Sequence, residues 1–209
     1  MITIPARHYS PAVWAWIHDQ VCYNDWYTAY EEAIYAVKTK APELEKIMAG
    51  YESAKLLGAI VNRLTPKRIV EIGTFSGFTA MVMALNCGAK IYTCDKDNDI
   101  FNPKDVLKKD AFVSIQVFPK TRAIDMLRTL EPPIDLFFLD GRVSVDETEE
   151  MGRLAADDAV FVLDDWEGFE KGVSNALMLY ARGVAPIPVF PQPGTQVGMM
   201  LRDIRWARQ

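Results

Sequence analysis

Two apolar runs in this chain stop on acids. Ile134-Asp-Leu-Phe-Phe-Leu-Asp140-Gly141 ends on one carboxylate, and Ala159-Val-Phe-Val-Leu-Asp164-Asp165-Trp166 ends on two. Like charges brought together repel unless a cation, a proton or a basic residue intervenes. A hard divalent ion with oxygen ligands, Mg²⁺ most naturally, suits Asp140, Asp164 and Asp165, and would keep waters for a substrate to displace. The plainer alternative makes Asp140 a turn residue before Gly141, with Asp164 and Asp165 capping a helix that begins near Glu167. Capping accounts for one acid of the pair, but not for two in a row together with Asp140.

A second group lies upstream. In Arg68-Ile-Val-Glu-Ile-Gly-Thr-Phe-Ser-Gly-Phe-Thr79 a β-branched run stops at Gly73, and Gly77 opens the apolar helical pattern Ala80-Met-Val-Met-Ala-Leu85. This reads as strand, glycine turn, helix. Backbone N–H groups at such a helix N-terminus face an anion, and Gly73 lacks the Cβ that would block close approach. The spacing is Glu-x-Gly-x-x-x-Gly, not the Gly-x-Gly-x-x-Gly of dinucleotide sites. The next β-rich run, Lys90-Ile-Tyr-Thr-Cys-Asp95, ends on an acid 22 residues after Gly73. In nucleotide-binding α/β units a carboxylate about 20 residues beyond the turn accepts hydrogen bonds from ribose hydroxyls. Alone, Asp95 would be a turn or cap residue; its distance from Gly73 carries the information.

The elements that must position these residues alternate. Strands are expected at about 68–73, 90–95, 112–118, 134–140 and 159–164, with helices at 77–87, 97–109, 121–130, 145–154 and 167–182, boundaries being good to a few residues. Alternation of this kind gives a parallel sheet with right-handed crossovers and helices on both faces. Ligands then bind at the carboxyl ends of the strands, where all of these acids fall. Pro186-Ile-Pro-Val-Phe190, a Pro191-Gln-Pro-Gly-Thr195 turn and Val197-Gly-Met-Met-Leu201 read as a terminal hairpin that adds an antiparallel strand. The expected fold is thus α/β, a doubly wound, mostly parallel seven-stranded sheet with an N-terminal helical cap. Residues 1–66 form the cap, within the same domain, and residues 67–209 the core. Ser10-Pro11 is a helix start, Ala41-Pro42 a break, and the apolar positions from Leu44 to Leu64 suggest helices ending near Thr65-Pro66.

Composition bounds the function. The chain has 209 residues, half of them apolar and 24% charged, which suits one globular domain with a full core. A net charge of -5 offers no basic surface to a phosphate backbone, so nucleic acid is not an expected partner. Cys22, Cys87 and Cys94 show no metal-type pairing and fit free thiols in a reducing cytoplasm. No signal peptide and no apolar run of about 20 residues appear, so no membrane is expected either.

Taken together, Glu71-Ile-Gly-Thr-Phe-Ser-Gly-Phe-Thr79, Phe138-Leu-Asp-Gly141 and Val162-Leu-Asp-Asp-Trp166 resemble the class I S-adenosylmethionine (SAM) methyltransferases. Within that class they look like the cation-dependent small-molecule O-methyltransferases, most closely the macrocin-type sugar enzymes and more distantly the catechol and caffeoyl-CoA types. The resemblance spans roughly residues 45 to 182. It implies a SAM site made by Glu71, Gly73, Thr74, Phe75, Ser76, Gly77 and Thr79, by Asp95 with Lys96, by Arg122 and Ala123, and by Asp140. Thr79 would meet the cofactor carboxylate, Asp95 the ribose, and the Lys120-Thr-Arg-Ala123 turn the adenine. Asp140, Asp164 and Asp165 would hold Mg²⁺, Asp165 standing where the catechol type has Asn.

One departure bears on catalysis. The macrocin type carries Asp-Gly-Asp, its second Asp the presumed base, and the catechol type a Lys three residues after its metal-binding Asp. This chain has Asp140-Gly-Arg142-Val143. A guanidinium stays protonated and is no base. Asp140 and Arg142 are the candidate catalytic residues. The base lies elsewhere, or metal coordination lowers the acceptor's pKa enough to manage without one, or methyl transfer has been lost. Arg142 is either a donor fork that clamps a carboxylate or phosphate on the acceptor or a solvated loop residue. His8 and His18 are the only histidines and are tied to the acids by no spacing. Eight of the 23 aromatics fall in residues 9–35, a density that suits a lid over an apolar acceptor or the interface of a homodimer. The expected activity is methyl transfer from SAM to an oxygen of a small, anionic molecule with Mg²⁺ assistance. The alternatives are a non-catalytic SAM-fold binding module and a nicotinamide-dependent oxidoreductase.

Overall fold

The computed structural model describes residues 13–15, 51–97, 114–166, 168–191 and 195–203. Its elements are α1 (Tyr51–Leu64), β1 (Arg68–Ile72), α2 (Phe78–Asn86), β2 (Lys90–Asp95), β3 (Ile115–Pro119), α3 (Ala123–Leu127), β4 (Ile134–Leu139), α4 (Val145–Leu154), β5 (Ala155–Leu163), α5 (Gly172–Ala181), β6 (Ile187–Val189) and β7 (Gly198–Leu201). The seven strands form one sheet in the order β3-β2-β1-β4-β5-β7-β6. β3, β2, β1, β4 and β5 run parallel, and β7 lies antiparallel between β5 and β6. The doubly wound sheet with its terminal hairpin is as the alternation of the sequence implied.

Strand residues alternate between two apolar layers, as a pleated sheet covered on both faces requires. Ile69, Ile91, Leu136, Phe138, Val160, Val162 and Met199 point to one face, where α1 (Leu56, Leu57, Ile60, Val61) and α2 (Phe78, Met81, Val82) cover them. Val70, Ile72, Tyr92, Phe137, Leu139, Phe161 and Met200 point to the other, under α3 (Met126, Leu127), α4 (Met151, Leu154) and α5 (Leu179). Phe137 and Phe161 stack across β4 and β5 with ring centroids 4.7 Å apart and planes within 5°. Each is fully buried, which contributes about 1.5–3 kcal/mol by apolar burial alone.

Three boundaries differ from the expected ones. β5 begins at Ala155, ahead of Ala159, because the backbone pairs Ile134 with Ala155 before a register shift; the exposed acids Asp157 and Asp158 disguise that start as a loop. α3 stops at Leu127, where the Thr129 hydroxyl donates to the Met126 carbonyl and tightens the chain into turns. α5 begins at Gly172 rather than near 167. Most of the expected cap (1–12, 16–50) and of the helix at 97–109, the N-terminal aromatics other than Trp14, both histidines, Cys22 and the centre of the terminal turn lie outside the described residues. Val13 and Trp14 are buried, and the Trp14 indole N–H donates to the Phe190 carbonyl (2.6 Å). No described helix is long and apolar enough to cross a membrane.

The hairpin is seated by Trp166. Its backbone N–H donates to the Gln196 carbonyl (2.9 Å), and its ring meets Phe190 edge-on at 6.0 Å. A Cβ on Gly198 would fall 2.1–2.7 Å from that indole ring. Gly198→Ala is therefore expected to destabilise the protein by about 1–3 kcal/mol, as overpacking does. A urea midpoint unchanged from wild type would show that the indole moves aside freely.

Candidate active site

Because β2, β1, β4 and β5 are parallel neighbours, their carboxyl ends share one edge. Glu71, Asp95, Asp140, Asp164 and Asp165 all come to that edge. The turn after β1 is shaped from below. Gly73 takes φ +106°, and its N–H and that of Thr74 both donate to the Cys94 carbonyl (3.0 and 3.1 Å). A Cβ at residue 73 would press on the backbone of Asp140 and Gly141 at 3.2–3.3 Å, so the glycine lets the β1 and β4 tips meet. Gly77, at φ +76°, opens α2.

Glu71 and Thr79 are joined by a hydrogen bond beneath the turn. The Glu71 carboxyl is fully buried and accepts hydrogen bonds from the hydroxyls of Thr79 and Thr93; Thr93 is in turn 2.6 Å from the Thr74 hydroxyl. Glu71 and Thr79 fix the turn from inside. Burial pushes the Glu71 carboxyl up to about 8, against the lowering effect of the two threonines. The Cys94 thiol beside it is likewise pushed by burial to about 12, which removes it as a nucleophile at neutral pH.

Asp95 closes the turn from the β2 side. Its Oδ2 accepts from the Phe75 N–H and its Oδ1 from the Asp97 N–H, each at 2.9 Å. A carboxylate has about four acceptor positions, so two remain for diol hydroxyls. The Asp95 carbonyl accepts from the Thr121 N–H (3.0 Å), which draws the 120–123 turn to the same spot. Ala123 is buried there at the start of α3. Arg122 instead points to solvent in a two-pronged pair with Asp125, and Lys96 faces outward 3.7 Å from Asp97.

The other half of the edge holds a residue that the sequence reading missed. Lys171 Nζ lies 2.9 Å from Asp140 Oδ1 and 2.7 Å from Asp165 Oδ2. Burial works against its charge, but the hydrogen bonds and charges of Asp165 and Asp140 outweigh it and hold the ammonium above the ordinary lysine range. Asp140 is raised by burial in spite of Lys171, and Asp164 is pushed up to about 7 by burial and by the charges of Asp140 and Asp165. The capping explanation of the paired acids fails, since α5 starts only at Gly172 and Lys171, not an Asp, precedes it. Asp165 stands at φ +50°, a bend that aims its carboxylate back at Lys171.

The expected Mg²⁺ set does not fit this arrangement. Among the described residues no group of three His, Cys, Asp or Glu side chains is arranged to hold a metal ion. A divalent ion about 2.1 Å from the Asp140 and Asp165 oxygens that Lys171 already contacts would lie within 5 Å of the ammonium. At that distance charges of +2 and +1 repel by several kcal/mol even at an effective dielectric constant of about 20.

Asn175, 1% exposed on α5, also escaped the sequence reading. It accepts from the Val143 N–H (3.1 Å) and donates to the Gly141 carbonyl (2.8 Å), clamping the loop that carries Arg142. A lone amide in the apolar helix Gly172-Val-Ser-Asn-Ala-Leu-Met-Leu-Tyr-Ala181 was the available signal; nothing comparable marked Lys171. Arg142 pairs with Glu170 at 2.7 Å, both largely exposed, beside a cleft of about 370 Å³ lined by Arg142, Asp165, Gly168, Glu170 and Lys171.

The raised Glu71 carboxyl has a testable sign. A carboxyl whose folded pKa exceeds its unfolded value adds no penalty below the unfolded value, and stability then falls as pH rises from about 4.5 to about 8. Glu71→Gln mimics the protonated acid, with Thr93 turned to donate to Thr74. Its thermal midpoint should fall less than that of wild type between pH 5.5 and 8.5. Equal losses in both proteins would mean that Glu71 does not titrate in that window.

The geometry agrees with the comparisons to known proteins. A family model described as O-methyltransferase matches residues 28–165, while no curated protein matches the chain. The SAH-bound methyltransferase PaMTH1 of Podospora anserina superposes with a TM-score of 0.63 at 17% identity, covering 97% of each chain. The O-methyltransferase TomG of Streptomyces achromogenes, involved in tomaymycin synthesis and solved with SAM, gives 0.60 at 18% identity over 95% of this chain and 98% of its own. A Bacillus cereus O-methyltransferase in complex with SAH gives 0.62 at 16% identity, covering 94% and 98%. With the matched segment covering well over half of its length, the chain has the class I methyltransferase fold and belongs to the O-methyltransferase family.

Proposed function

We propose that this protein transfers the methyl group of SAM to an oxygen of a small, anionic molecule. The observation that carries this reading is the convergence of three features on one edge. These are a glycine turn held by the Cys94 carbonyl, an Asp95 carboxylate with acceptor positions left for a ribose, and the 120–123 turn tied to Asp95. The methionine end of SAM would lie across Gly73, its ribose on Asp95 and its adenine along the 120–123 turn. Attack on the sulfonium methyl is an in-line displacement, so the protein's task is to align acceptor oxygen, methyl carbon and sulfur.

The acceptor would enter the cleft beside Lys171 and Arg142. The exposed Arg142–Glu170 pair is worth about 0–1 kcal/mol, little enough for an acceptor carboxylate or phosphate to displace Glu170. Lys171 offers an ammonium that favours the ionised acceptor oxygen, so deprotonation need not fall to Arg142. No step is assigned to a divalent ion, because Lys171 stands between its expected ligands. Arg142 at the position where the resembled enzymes place a base favours one second reading: a protein that binds SAM without transferring its methyl.

Asp95→Ala should weaken SAM binding by about 1–3 kcal/mol, the usual result of leaving buried hydroxyls without a charged partner. Calorimetry showing unchanged affinity in the folded variant would remove Asp95 from the cofactor site. With a panel of carboxylate- or phosphate-bearing alcohols and phenols, the protein should convert SAM to S-adenosylhomocysteine (SAH). On an accepted substrate Arg142→Ala should raise KM far more than it lowers kcat, because the lost contact serves ground and transition states alike. SAM binding with no turnover across the panel would support the non-catalytic reading, and no SAM binding would overturn both.

A further inference from the structure

We infer that Lys171 takes the place of a divalent cation in this chain, so that its acidic edge is closed by a built-in ammonium and takes up no metal. The inference rests on the methyltransferase reading only for what the edge is used for; the placement of Lys171 stands by itself. Its Nζ meets carboxylates from two different strand ends, Asp140 after β4 and Asp165 after β5, at the 2.7–2.9 Å of charge-assisted hydrogen bonds. That is the bridging role a metal would have between these two acids.

The position is built rather than incidental. A Cβ at Gly172 would lie 2.5 Å from Trp166 Cα, 2.7 Å from the Asp165 carbonyl and 2.8 Å from the Asp164 carbonyl. The backbone next to Lys171 is therefore pressed directly onto the acid-bearing turn, which only glycine permits. The Gly168 N–H donates to the Asp165 carbonyl (2.9 Å) and the Lys171 N–H to the Gly168 carbonyl (3.3 Å), folding the loop so that residue 171 returns to the edge. From the far side Asn175 ties the same helix to Gly141 and Val143, next to Asp140. An ammonium carries three donors. Two go to Asp140 and Asp165, and the third is the one an acceptor oxygen in the adjoining cleft would meet.

Remove the ammonium and the same acids become a cation site. Mn²⁺ titration followed by the EPR signal of the free ion tests this on wild type, Lys171→Met and Lys171→Gln, with SAH calorimetry on each protein. Wild type should leave Mn²⁺ free up to about 1 mM, and either variant should bind one ion per chain at least about tenfold more tightly. Adding Asp140→Asn to the variant should abolish that gain. Stoichiometric Mn²⁺ binding by wild type that Asp165→Asn removes would overturn the inference. So would equal Mn²⁺ behaviour of wild type and both folded variants, because Lys171 would then exclude nothing. SAH binding separates the two readings: its absence in wild type sinks the cofactor assignment, while the Mn²⁺ outcomes still decide the role of Lys171.

Discussion

Five carboxyl groups at the ends of four adjacent parallel strands would repel one another, and much of the active-site edge is organised around relieving that repulsion. The relief takes several forms. Glu71 is buried so deeply that it favours its neutral form in spite of the two threonine hydroxyls bonded to it. Asp95 accepts from the Phe75 N–H of the turn it stabilises and from the Asp97 N–H just beyond β2. Asp140 and Asp165 share Lys171, and Asp164, without that direct contact among the described bonds, is raised towards neutrality. An unpaired buried charge costs several kcal/mol, so these compensations are conditions for the edge to exist at all.

The same contacts divide the edge into two halves that meet at Asp140. On the β1–β2 side, the threonine network and the Cys94 carbonyl hold the glycine turn in a conformation that places Gly73 against the Asp140 backbone. On the β5 side, Gly172 and Asn175 bring α5 against the Asp164–Asp165 turn and the 141–143 loop. A cofactor over the first half and an acceptor in the cleft of the second would face each other across Asp140. That gives the fold a direct consequence for chemistry: strand order sets which groups can meet.

How much of this was legible in the sequence depends on the range of the interaction. The strands were legible because residues such as Ile69, Val70, Phe137 and Phe161 are apolar on both faces, a signal that survives without knowledge of partners. Gly73 and Asp95 were legible because their roles are set by spacing within one strand–turn–helix–strand unit. The three acids were visible, yet their relation to Lys171 was not. It depends on a loop folded by Gly172, whose missing Cβ has meaning only once Trp166 and the Asp164 and Asp165 carbonyls are beside it. Thr79 and Glu71 were recognised as parts of the turn; that they bond to each other requires the burial of Glu71 to be known.

The most direct measurement is a crystal structure grown with SAH and excess Mg²⁺. The account predicts the SAH sulfur over the Gly73 turn, both ribose hydroxyls on the Asp95 carboxylate, and Lys171 Nζ still between Asp140 and Asp165. SAH bound away from Asp95, or Mg²⁺ coordinated by Asp140 and Asp165 with Lys171 turned out to solvent, would contradict it.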